Sequence, residues 1–85
     1  MYSLAFERRA AREYQKIRGA DKLRIDDALM RLQQDPYESV GVKNLKGQLA
    51  GSLRLRVGEW RVIFRVGHQT IVVETIGRRG DVYRG

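Results

Sequence analysis

Leu53-Arg54-Leu55-Arg56-Val57-Gly58-Glu59-Trp60-Arg61-Val62-Ile63-Phe64-Arg65-Val66 alternates apolar and cationic side chains about a Gly-Glu pair. A period of two marks a strand with one buried face. A two-residue connection with glycine first fits a type II′ hairpin turn. That turn sets the register, with Val57 opposite Trp60, Arg56 opposite Arg61, Leu55 opposite Val62 and Arg54 opposite Ile63. Leu53, Leu55, Val57, Trp60, Val62, Phe64 and Val66 then share the core face. Ser52, Arg54, Arg56, Arg61, Ile63 and Arg65 are expected to face out. Arg56 and Arg61 are thereby placed directly across from each other, where like charges destabilise a strand pair.

The rest of the chain builds around this hairpin. Gly67-His68-Gln69-Thr70 turns into Ile71–Ile76, a β-branched run expected to be a central strand. Gly77-Arg78-Arg79-Gly80 is expected to be a loop and Asp81–Arg84 a short extended tail. On the N-terminal side, Tyr2–Phe6 alternates as a short strand. Glu7–Ile17 sets Ala10, Ala11, Tyr14 and Ile17 on one helical face with arginines on the other, and Arg18-Gly19 ends it. Asp21–Gln34 has a buried stripe of Ile25, Ala28, Leu29 and Leu32. Asp35-Pro36 stops it, because the residue before proline avoids the helical region. Tyr37–Gly51 is a glycine-punctuated connector with room for one short strand. The expected fold is α+β, with two N-terminal helices packed on a small twisted, mostly antiparallel sheet in the order β-α-α-β-β-β. It forms one domain over residues 1–85.

The 85 residues carry 17 Lys and Arg against 10 Asp and Glu, a formal +7. The excess is uneven: eight basic residues meet seven acids in residues 1–42, but nine meet only three (Glu59, Glu74, Asp81) in residues 43–85. Arg54, Arg56, Arg61 and Arg65 line one strand face, Arg78 and Arg79 follow, and Lys43 and Lys46 extend the basic region. Such a surface points to a polyanion, nucleic acid first. The use of arginine favours phosphate, whose geometry the guanidinium fork matches. The alternative is a solvated face with arginines lying over the sheet. The absence of cysteine removes disulfides and thiolate metal sites and fits a reducing cytoplasm. No apolar stretch approaches the roughly 18 residues of a membrane span, so no membrane partner is expected.

Few catalytic constellations are available. His68 is the only histidine and falls in a hairpin tip. No pair of carboxylates converges, no metal cluster is evident, and Gly77-Arg78-Arg79-Gly80 fits no phosphate-loop pattern; no metal and no cofactor are expected. Arginine and tyrosine suffice for one reaction, attack of an RNA 2′-hydroxyl on its own adjacent phosphate. The protein then holds the phosphate, neutralises the five-coordinate transition state and moves two protons. Arginine stays protonated and serves the first two needs. Tyr83 can move a proton if neighbouring arginines lower its pKa from about 10; taken alone it also fits a packing role.

The order strand, helix, helix, Asp-Pro, then Leu45-Lys46-Gly47, the hairpin Leu53–Phe64 and the ending Gly77-Arg78-Arg79-Gly80-Asp81-Val82-Tyr83-Arg84 resembles the RelE/ParE superfamily of toxin–antitoxin toxins, over almost the whole chain. The RelE branch implies a ribosome-dependent endoribonuclease that cuts mRNA in the A site without metal. The ParE branch implies a DNA gyrase poison that tends to lack the nuclease residues. Carried over, the RelE catalytic positions fall on Arg54, Arg61, Arg79 and Tyr83, with Arg56 in support. A lysine frequent in the hairpin strand is Ser52 here. The implied partners are a cognate antitoxin with an acidic tail or helix, forming a hetero-oligomer, and the ribosome with its mRNA. A non-catalytic nucleic-acid-binding module of the same fold is the third alternative.

Overall fold

The computed structural model describes residues 1–80. In chain order the elements are β1 (Ser3–Phe6), α1 (Arg8–Lys16), α2 (Gly19–Gln34), β2 (Val42–Asn44), a 3-10 turn (Gly47–Leu49), β3 (Leu53–Val57), β4 (Trp60–Val66) and β5 (Thr70–Arg78). The strands form one sheet in the order β1-β5-β4-β3-β2. Among the described strands β1 and β5 run parallel, and the other neighbours are antiparallel. The expected order β-α-α-β-β-β thus describes four of the strands. The connector supplies the fifth, β2, whose Lys43 lies opposite Arg54.

The hairpin has the register that its turn demands, with Arg56 across from Arg61 and Val57 across from Trp60. Gly58 takes φ +58° and Glu59 does not share the left-handed region, as a II′ turn requires. Both helices cover one face of the sheet. Ala10 and Ile17 of the α1 segment and Ile25, Ala28, Leu29 and Leu32 of α2 pack with Leu53, Leu55, Val62, Phe64, Ile71, Val73 and Ile76. α2 ends where Asp35 Oδ1 accepts the N–H groups of Tyr37 and Glu38, at 3.2 and 3.1 Å, and the buried Pro36 turns the chain.

Three expectations need correction. First, β5 does not stop at Ile76 but runs through Arg78, so Gly77 and Arg78 are strand residues and not loop. Second, β5 carries a bulge: Ile63 pairs with Thr75 but Phe64 with Val73, which leaves Glu74 as the extra residue. The core face of β5 therefore reads Ile71, Val73 and then Ile76, and Arg78 follows Ile76 onto the helix side. Third, Arg61 and Ile63 do lie on the face away from the helices, yet both are buried, at 7% and 2% exposure. Strand alternation says which face a side chain is on, not whether that face meets solvent.

Two local contacts fix how the elements meet. Gly41 has φ +89°, and a Cβ there would lie 2.8 Å from the Arg56 carbonyl oxygen of β3. That same approach carries the bond from the Arg56 N–H to the Gly41 carbonyl, 3.0 Å. Gly41→Ala is expected to cost about 1–3 kcal/mol, since it combines left-handed strain with a backbone clash; a urea midpoint unchanged from wild type would contradict this. Between the helices, the Tyr14 hydroxyl donates to the Asp26 carboxylate. That bond, then burial and the Asp26 charge, push the Tyr14 pKa up to about 12 from its usual 10. A raised folded-state pKa stabilises below the unfolded value and is lost as pH rises through the folded one. The stability advantage of wild type over Tyr14→Phe is therefore expected to be full below about pH 10 and to vanish toward pH 12. Paired melts across that window check it, and a difference that stays constant would contradict the linkage.

Candidate functional site

The face of the sheet away from the helices is built in rows, because strand partners share a face. At the hairpin end, Arg56, Arg61 and Gly77 stand side by side on β3, β4 and β5. The next row is Lys43, Arg54, Ile63 and Thr75. Beyond it lie Ser52, Arg65 and the bulged Glu74. Gly77 puts no side chain beside Arg61 in this row. Arg61 Nη1 donates to the carbonyls of Gly58 and Trp60, at 2.8 and 2.9 Å, so the turn braces the guanidinium. Arg54 is half-buried, and its Nε–H is shielded without a hydrogen-bond partner among the described residues. A cationic donor left in that state is poised for an anion. Arg56 and Lys43 are exposed. The Arg79 N–H bonds the Glu59 carbonyl at 2.8 Å, which ties the end of β5 to the hairpin turn and puts Arg79 at the same end of the sheet.

The bulge decides the charge pattern of this face. Glu74, thrown out of register, accepts the Ser52 hydroxyl at 2.7 Å and Arg65 Nη1 at 2.9 Å. Glu7, between β1 and α1, takes Arg65 Nη1 as well. Two carboxylates thus occupy Arg65, which leaves the open basic cluster to which its strand position assigns it. Arg78 also departs. It lies on the helix side, its guanidinium carbon 4.8 Å from the Trp60 ring centroid and its Nη2 3.8 Å from Asp21. Lys46 is exposed in the connector just before the 3-10 turn. Tyr83 lies outside the described residues. The structure therefore brings Arg54, Arg56, Arg61 and Lys43 together, with Arg79 at their edge, and separates Arg65, Arg78 and Lys46 from them.

Sequence reasoning offers Glu74 as a partial answer to the arginine charge, and misses the Glu7 arm of the clamp and the Arg78–Trp60 stack. Glu7 and Arg65 are 58 residues apart, and no local signal joins them. The stack had a signal: the apolar spacing Ile71, Val73, Ile76 steps by two and then three, which marks a bulge and moves Arg78 to the core side.

Comparison with known proteins agrees with this architecture. Residues 4–83 match the family described as the ParE toxin of type II toxin–antitoxin system, parDE. The chain belongs to that family, within the RelE/ParE superfamily: it is a toxin of a type II toxin–antitoxin system. Among solved structures, a YoeB/ParE toxin from Agrobacterium tumefaciens superposes with a TM-score of 0.81 at 23% identity, covering 91% of this chain and 98% of that one. The isolated RelE toxin of E. coli gives 0.79 at 20% identity over 98% of this chain and 92% of its own. The RelE–RelB complex of the archaeon Pyrococcus horikoshii gives 0.76 at 24% identity over 94% and 97%. These likenesses establish the fold. No curated protein matches the sequence.

Proposed function

We propose that the chain is an endoribonuclease toxin that cleaves mRNA on the ribosome and is neutralised by a cognate antitoxin. The observation that carries this reading is the cluster at the hairpin end: Arg56 against Arg61, Lys43 against Arg54, and the orphaned Arg54 Nε–H. Opposed cations are held together at a cost in stability, and a phosphate between them removes that cost.

In this reading the scissile phosphate docks on Arg54, Arg56 and Arg79, and the braced Arg61 supplies a fixed positive field. The RNA 2′-hydroxyl loses its proton, attacks phosphorus and expels the 5′-oxygen, which takes up a proton. A 2′,3′-cyclic phosphate and a free 5′-hydroxyl result. All four arginines stay protonated, so they act through charge. Tyr83 is assigned the proton taken from the 2′-hydroxyl, on the strength of the family ending. The same basic face suits an acidic antitoxin segment, which would compete with RNA for it.

Primer extension on an mRNA under translation in a purified system tests the proposal. Cuts within codons, dependent on the ribosome and absent with Tyr83→Phe and Arg79→Ala, are the expected result. The matched family bears the ParE description, which favours gyrase inhibition as a second reading. Intact translation with loss of gyrase supercoiling would replace the first reading by the second.

A further inference from the structure

Trp60 and Arg78 form a structure that phosphate binding leaves unused. Their strands pair them directly, one residue from the Arg61–Gly77 pair, so they point to the opposite side of the sheet at the same rim. The Arg78 guanidinium lies over the indole at 4.8 Å. Its side chain is 59% exposed, and its only ion partner among the described residues is Asp21 at the long distance of 3.8 Å. Beside the pair is a cleft of about 380 Å³, lined also by Arg9 and Glu13 of α1 and by Ile76 on the helix side of β5. The indole N–H is buried with no hydrogen-bond partner among the described residues. An orphaned donor is a poor choice for packing alone, where phenylalanine would carry no such penalty.

From this arrangement we propose that the Arg78–Trp60 stack is a shelf for a nucleobase of the bound RNA. The inference rests on the chain acting on RNA and adds a base-reading element to it. A guanidinium plane backed by an indole presents a flat, polarisable, cationic surface, the kind on which unstacked bases settle. The shelf and the anion cluster lie back to back across the rim formed by the Gly58-Glu59 turn and Arg79. A nucleotide whose phosphate rests at Arg79 can fold its base over that rim into the cleft. Glu13 offers an acceptor there for an exocyclic amino group. Arg78 then acts on the base and not on the phosphate, and the stack biases which codons are cut.

The protein has one tryptophan, so its indole N–H gives a single reporter resonance. Titrating the free chain with AMP is expected to shift that resonance and the Arg78 Nε–H saturably, through the ring current of the stacked adenine. Ribose 5-phosphate has the same phosphate and no base, and is expected to leave both in place. Arg78→Gln should weaken AMP binding about tenfold. Trp60→Phe keeps an aromatic backing and should retain the Arg78 response. Equal shifts from the two ligands, or an AMP response unaltered by Arg78→Gln, would overturn the shelf. These titrations need no ribosome. A shelf that binds AMP in a chain that cuts no mRNA stands while the nuclease reading falls, and cleavage without the AMP response has the reverse meaning.

Discussion

Arg61→Ala is expected to lower the rate of mRNA cleavage by about 10²–10³, the usual cost of removing one preorganised charge from a developing anion. Growth arrest on expression should be relieved accordingly. The position is informative because its charge is fixed in advance. The guanidinium is braced by the Gly58 and Trp60 carbonyls, sits beside Gly77, and is 7% exposed. A bound phosphate therefore meets a field that needs no reorganisation. Losing the two part-buried turn bonds and leaving a gap at a buried position should cost about 1–3 kcal/mol of stability. The variant should melt several degrees below wild type yet remain folded at the assay temperature, which separates a lost field from a lost fold. Arg61→Lys keeps the charge without the fork and is expected to fall between the two. A folded alanine variant that remains fully toxic would place the site elsewhere.

Phe64→Ala is expected to remove about 3–5 kcal/mol of stability, at the upper end of what truncating one side chain costs. Phe64 is fully buried on β4, packed in the cluster shared by both helices and three strands. It also sits at the register shift, next to Ile63, where β5 gains Glu74. Domains of this size hold roughly 4–13 kcal/mol in total, so the variant should be partly unfolded at 37 °C. Urea unfolding followed by circular dichroism gives the number. A loss below about 1 kcal/mol would mean that the core repacks around the cavity far more readily than cores normally do.

The hairpin is legible in the sequence because the constraints on it are local. A glycine-first two-residue turn admits one register, and the alternation of Leu53–Val57 and Trp60–Val66 admits one buried face. Both helices are legible for the same reason. Their stripes repeat at 3.6 residues, and Asp35-Pro36 supplies the stop. The basic cluster at the hairpin end follows from turn and alternation together. They place Arg54, Arg56 and Arg61 on one face, whereas Lys43 joins Arg54 only through the pairing of β2 with β3. Strand β2 has three residues and no periodicity to read, so only its pairing defines it.

The sequence alone determined the class of fold, the hairpin, the two helices and the arginines that share one face, since each depends on residues within a few positions of one another. Tertiary structure decided the charge map. The bulge at Glu74 depends on how β5 fits β4, and it turned Arg78 toward Trp60. The meeting of Glu7, Arg65 and Glu74 depends on β1 pairing parallel to β5, and it withdrew Arg65 from the cluster. Burial of Arg61 depends on what covers its face. Such features arise where distant segments touch, and packing and ion pairing select them; only the bulge left a local trace, in the spacing of Ile71, Val73 and Ile76.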